Sequence, residues 1–301
     1  MFKTNHILKS ENDQENLELY SSNKASYAII CLNQGGRLQK LNINGHELIK
    51  DLSPMTYKET YASSILFPFA NRIKDGIYNF DGKTYQLDLN HKQENNAIHG
   101  LVYNKSFKVL NKNVSDKDAS ITLEYETVNT SIGFPYTYKI QLNYILTDDS
   151  LTLNVKIKNT DSKTFPFTLG WHPYFNSQNL YNSTLKFDSN KKLVLDERMI
   201  TTNVEDFKNE ELFKIKDRKL DDCFILNTSE ILFKTPHYVL QINASSKETF
   251  MQVYTPPIAN TIAIEPTTGV SDSFNNKIGL QVLKPSESYS IKWEIRLIKN
   301  T

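Results

Sequence analysis

Five short segments, far apart in the chain, each set a polar or ionisable residue among apolar neighbours. They are Phe69-Ala70-Asn71-Arg72-Ile73, Ala97-Ile98-His99-Gly100, Gly170-Trp171-His172-Pro173-Tyr174-Phe175, Leu220-Asp221-Asp222-Cys223-Phe224 and Ala263-Ile264-Glu265-Pro266. A polar group buried without a partner costs roughly 2–7 kcal/mol, and an isolated charge more. Two histidines, a glutamate, an aspartate and an arginine in such settings call for an explanation. One pocket assembled from distant strands supplies it. These residue types suit acid/base catalysis on a polyhydroxylated substrate, with no metal or other cofactor required.

Each residue also has a plainer reading. Glu265, between Ile264 and Pro266, is either a general base or half of a buried ion pair with Arg72. Desolvation would raise its pKa, and a donor would hold it down. His172 sits beside Trp171, Tyr174 and Phe175, which offer stacking surface, and Pro173 restrains its backbone toward an extended conformation. The alternative is an aromatic core corner that happens to include a histidine. His99 alone reads as a satisfied core residue, although Gly100 beside it permits close approach of a ligand or backbone. Asp221 and Asp222 are adjacent, so in a strand they face opposite ways and one of them enters any pocket. Asn71 and Arg72 present donors suited to sugar hydroxyls, and Gln252 hydrogen-bonds either a ligand or a neighbouring backbone.

Strands must position these groups. Tyr138, Ile140, Leu142, Tyr144 and Leu146 alternate with mostly polar residues, and alternation resumes at Leu151, Leu153, Val155 and Ile157. That pattern predicts an antiparallel hairpin turning at Thr147-Asp148-Asp149-Ser150. A second hairpin, Ile77–Phe80 with Thr84–Leu87, turns at Asp81-Gly82, a pair suited to positive φ. Asn44-Gly45 and Gly35-Gly36 mark further bends. The stretch with helical colouring, 204–214, is short, and strands recur to Ser288–Ile298. No linker, repeat or composition shift divides the chain. The expectation is an all-β fold, one large antiparallel β-sandwich with few short helices, filling residues 1–301 as a single domain.

Bulk properties remove several functional classes. The 301 residues carry 35 basic and 34 acidic side chains, a net charge of +1, so no global field attracts nucleic acid or an anionic membrane. Cys31 and Cys223 have no metal-type spacing. The first residues lack the apolar core of a signal peptide, and no stretch is long enough to span a bilayer. A soluble, cytoplasmic protein, monomeric or weakly dimeric, is expected. There is no glycine-rich phosphate loop opening a helix, no Gly-x-Ser-x-Gly elbow and no His-Glu-x-x-His zinc motif.

Taken together and in this order, the five segments resemble those of the aldose 1-epimerase (galactose mutarotase) family. Pro68-Phe69-Ala70-Asn71-Arg72-Ile73 is followed by Asp75-Gly76, and Asp272-Ser273-Phe274-Asn275 follows Glu265. The resemblance runs from about Ser63 to Asn275. It implies a β-supersandwich, no cofactor, no metal, and interconversion of the α and β anomers of a free sugar. It makes Glu265 the base, His172 the acid and His99 a second histidine polarising the sugar. Asp221 matches the aspartate that holds sugar hydroxyls, and Asn71, Arg72 and Gln252 match positions that orient substrate. The chain departs from the best-known galactose mutarotases in two places. Gly170-Trp171-His172 stands where they have Asn-His, and Phe67-Pro68-Phe69 where they have Gly-Arg, which marks a divergent, shorter branch. The rival activity on the same fold is a hexose-6-phosphate 1-epimerase, which favours clustered arginines; this chain has five, Arg37, Arg72, Arg198, Arg218 and Arg296. A non-catalytic carbohydrate-binding protein on the same scaffold is the rival from another class. A lyase or hydrolase sandwich using Tyr174 or Tyr254 is a weaker alternative.

Overall fold

A computed structural model describes residues 1–7, 14–127, 130–208, 210–246 and 249–298. Period-two alternation gives strands wherever one face meets a core and the other meets water. Strand Tyr138–Leu146 does so along its whole length, and its register with Ser150–Asn159 pairs Tyr138 with Asn159 and Leu146 with Leu151. The Asp81-Gly82 turn has positive φ at both residues, as the two-residue hairpin requires.

Strands Ile77–Phe80 and Lys83–Gln86 form a two-stranded sheet of their own, while Tyr138–Leu146 and Ser150–Asn159 join a fifteen-stranded antiparallel sheet among the described residues. Its order runs Lys108–Val114, Ala119–Glu126, Tyr138–Leu146, Ser150–Asn159, Ser288–Ile298, Val239–Ala244 and Asp221–Lys234. It continues through Thr249–Tyr254, Thr261–Thr267, Gly170–Trp171 and Ile65–Leu66. A five-stranded meander, Lys3–Ile7 to His46–Ile49, forms a second sheet. One buried apolar cluster takes residues from both, including Leu17, Ile30 and Leu41 on one side and Leu142, Ile242 and Trp293 on the other. The Tyr144 hydroxyl crosses this layer to donate to the Gly36 carbonyl (2.9 Å). The all-β expectation therefore holds, with helices limited to Tyr57–Thr60, Ser273–Asn276 and a 3-10 turn at Leu180–Asn182 among the described residues.

The helical colouring of 204–214 is not realised. Strand Thr201–Asp206 pairs with Thr184–Leu195, and Phe213–Lys214 pairs with the start of that same strand; residue 209 lies outside the described residues. A segment this short is marginal as a helix, and the neighbouring strand edge satisfies its backbone instead. Trp171 is likewise no sugar platform: it is fully buried and stacks on Trp293 (6.0 Å between ring centroids). Phe175 is core too. Cys31 and Cys223 are buried and not joined by a disulfide. Among the described residues no helix is long and apolar enough to cross a membrane.

Candidate active site

Three adjacent strands of the large sheet carry the acidic wall of a cleft. Asp221 opens strand Asp221–Lys234, Gln252 lies on Thr249–Tyr254, and Glu265 lies on Thr261–Thr267. Gln252 sits directly opposite Glu265, and Asp221 opposite Tyr254. With neighbouring strands about 4.8 Å apart, Glu265 and Asp221 face one cleft across roughly 10 Å of sheet. Asp222 turns the other way and pairs with Lys192 (2.6 Å).

The histidines arrive from bends rather than from strand interiors. His172 lies between Gly170–Trp171 and Tyr174–Asn176, where its N–H donates to the Ser64 carbonyl (3.1 Å) and its own carbonyl accepts from Ser63 N–H (2.7 Å). His99 follows strand Asn96–Ile98 in a left-handed conformation (φ 61°), with its N–H donating to the Asn71 carbonyl (2.9 Å). Gly100 continues the bend at φ 74°, and a Cβ there would sit 2.3 Å from the Phe67 carbonyl oxygen. The close approach that Gly100 permits is therefore to backbone. The two imidazoles meet edge to face (5.0 Å); Tyr61 flanks His99 and Tyr174 stacks on His172.

All seven residues singled out in the sequence (Asn71, Arg72, His99, His172, Asp221, Gln252 and Glu265) line this one cleft of about 550 Å³. That volume lies in the ordinary range for small-molecule sites. The motif tail has a different job: Asp272 donates its N–H to the Arg72 carbonyl (2.7 Å) and accepts from Lys74 N–H (3.0 Å). It fixes the strand that carries Arg72 and does not line the cleft.

At the cleft floor, His172 Nε2 and Glu265 Oε1 are 3.4 Å apart, with side chains 6% and 4% exposed. Burial raises the Glu265 carboxyl well above the usual carboxylate range, and the nearby Asp221 charge pushes the same way. Burial also lowers His172 to about 3, and holds His99 well below the ordinary imidazole range, helped by His172 and Arg72. The low dielectric penalises both charged forms. Burial therefore disfavours the charged form of each partner, the carboxylate and the imidazolium alike. Asp221 is pushed up to about 6, by burial first, against the opposing pull of Arg72 and Gln252.

The Arg72–Glu265 ion pair allowed by the sequence does not form. Arg72 is held instead by Glu94, Nε to Oε2 (2.5 Å) and Nη2 to Oε1 (3.0 Å). Glu94 was invisible in the sequence, because Gln93-Glu94-Asn95-Asn96 reads as an ordinary polar loop. Tyr61, His91, Glu197 and Met199 also line the cleft from segments without strand patterning. Arg72 is the one arginine among the lining residues, which include no lysine and five carboxylates: Glu59, Glu94, Glu197, Asp221 and Glu265. Among the described residues no group of three or more histidines, cysteines or carboxylates is arranged to hold a metal ion.

Comparison with known proteins bears on the family and the fold. The family model described as aldose 1-epimerase matches residues 18–296. An uncharacterized Escherichia coli protein, YihR, is 24% identical over 281 residues, covering 89% of this chain and 90% of that one. Pig galactose mutarotase is 28% identical over 200 residues, 64% of this chain and 55% of its own length. Among solved structures, a galactose mutarotase-like protein from Clostridium acetobutylicum superposes with a TM-score of 0.87 at 19% identity, over 100% of this chain and 99% of that one.

Proposed function

The chain belongs to the aldose 1-epimerase family, and on that premise we propose that it interconverts the α and β anomers of an unphosphorylated aldose. The observation that carries this reading is the buried Glu265–His172 pair at the floor of an open polar cleft. Mutarotation needs one proton removed from the C1 hydroxyl and one delivered to the ring oxygen, and a pair sharing one proton does both. In ring opening, the Glu265 carboxylate takes the C1 hydroxyl proton as C1=O forms. The C1–O5 bond breaks toward O5, which the His172 imidazolium protonates. Rotation about C1–C2 then exposes the other aldehyde face. Closure reverses the traffic: the O5 hydroxyl attacks C1, returns its proton to His172, and Glu265 protonates the new C1 oxygen.

Ring opening uses the form with Glu265 as the carboxylate and the proton on His172, a form that sugar hydroxyls donating to Glu265 favour. His99, edge-on to His172, would hydrogen-bond the sugar close to the same atoms. Asp221, two strands away, would hold hydroxyls at the far end of the ring, with Asn71, Arg72 and Gln252 along the wall between.

The acidic lining weighs against a phosphorylated sugar. The lining holds five carboxyl groups and a single arginine, whose Nε and one Nη2 N–H are taken by Glu94, whereas a phosphate site favours clustered arginines. The test is polarimetry or proton NMR of freshly dissolved α-D-galactose and α-D-glucose. Equilibration faster than in buffer is expected for at least one of them. Rates equal to buffer for both, with acceleration of a hexose 6-phosphate, would replace this reading by its rival.

A further inference from the structure

The wall between the two ends of the cleft is one continuous chain of hydrogen bonds. Arg72 Nη1 donates to Asn71 Oδ1 (3.1 Å), and Asn71 Nδ2 donates to Gln252 Oε1 (3.4 Å). Gln252 Nε2 then donates to Asp221 Oδ1 (2.6 Å). Each amide must show its oxygen to the preceding donor, so its NH₂ group can only point onward. The orientation of both amides therefore follows from where the Arg72 guanidinium lies.

That position is set from outside the chain, by Glu94. A guanidinium has five N–H bonds in a rigid fork. Glu94 takes two and Asn71 one, which leaves one on Nη1 and one on Nη2 for a ligand. Glu94 is itself held on a pinned loop. Arg198 Nε donates to the Glu94 carbonyl (2.8 Å), while its Nη2 reaches Asp75 (2.8 Å), the Asn95 carbonyl and Asn96 (both 2.9 Å). The pair is not sealed in the core: side-chain exposure is 11% for Arg72 and 23% for Glu94. Both residues line the cleft, so the pair organises a surface that a ligand would meet.

Resting on the reading of the cleft as an aldose site, we propose that Glu94 is a positioning residue, acting through Arg72 to orient the donors that receive the sugar hydroxyls. Its side chain's hydrogen-bond and ion-pair partners are Arg72, Asn96 and His91, and neither Glu265 nor His172 is among them. Its loss should therefore weaken sugar capture and spare the chemical step.

The test is Glu94→Ala and Glu94→Gln, alone and in an Arg72→Met background, assayed for mutarotation of D-galactose and D-glucose. Glu94→Ala is expected to raise KM about tenfold with kcat within about threefold. Glu94→Gln, which keeps one acceptor oxygen, should recover part of the loss. In the Arg72→Met background, adding Glu94→Ala should change KM less than about twofold, because the partner it acts through is gone. An unchanged KM in Glu94→Ala, an equal loss in both backgrounds, or a fall in kcat with KM intact would overturn the proposal. Melting followed by circular dichroism establishes that each variant is folded. If the wild-type protein binds D-galactose without accelerating its mutarotation, the enzymatic reading fails and the same comparison is made on Kd by calorimetry. If it binds neither sugar, both readings fall.

Discussion

Strand Tyr138–Leu146 alternates buried and half-buried residues at every step, whereas strand Thr261–Thr267 is buried at all seven positions. The first has one face on the core and one toward solvent. Its polar residues meet polar neighbours there: Gln141 donates to Glu124 (2.8 Å), and Lys139 lies near both Glu124 and Glu126. The second is enclosed, with Thr249–Tyr254 on one side and Gly170–Trp171 and Tyr174–Asn176 on the other. It still alternates, Ile262 and Ile264 one way, Ala263 and Glu265 the other, but the second face meets the cleft. A charge on the open strand costs little and carries little information. A carboxyl on the closed strand is desolvated, its pKa is displaced, and its presence points to a use.

The largest expected effect breaks that contrast at its centre. Glu265→Gln keeps shape and burial but removes the titrating group, and should lower turnover about 10²–10⁴-fold while the melting temperature does not fall. His172→Asn should cost at least about a hundredfold. Turnover close to wild type in either variant would remove the pair from the mechanism.

A smaller effect concerns Asp221, at the far end of the same wall. Its pKa is raised to about 6, so it is a carboxylate above that pH and protonated below it. Only the carboxylate accepts from both Gln252 and a sugar hydroxyl without spending one oxygen on a proton. KM should therefore rise as pH falls through about 6, and Asp221→Asn should raise KM and abolish that inflection. A KM profile identical in wild type and variant would assign the inflection elsewhere.

The smallest effect belongs to the open strands. Lys156 lies exposed on the partner of Tyr138–Leu146. Lys156→Gln should shift stability by less than about 0.5 kcal/mol and leave mutarotation unchanged. A measurable loss of activity there would mean that the solvent face is not inert, and the comparison would need redrawing.

How much of this was legible depended on range. Hairpins were readable because their signals are local: alternation across 138–157 and the Asp81-Gly82 turn each name their own partner. The segment 204–214 misled because its weak helical spacing competed with a strand edge, Thr184–Leu195, that no local pattern announces. Trp171 misled for a related reason. Adjacent residues at a bend face opposite ways, so the neighbour of a cleft histidine stacks in the core.

By itself the sequence determined the strand-rich character and the seven polar residues in apolar strings, because side-chain period and desolvation cost are properties of a short stretch. Only the tertiary structure decided their partners: His172 rather than Arg72 beside Glu265, Glu94 beneath Arg72, and Asp221 rather than Asp222 in the cleft. It also decided the burial that pushes the Glu265 carboxyl up and the His172 imidazole down. Ion pairing and dielectric act through space, between groups that the chain brings together only when the sheet has closed around them.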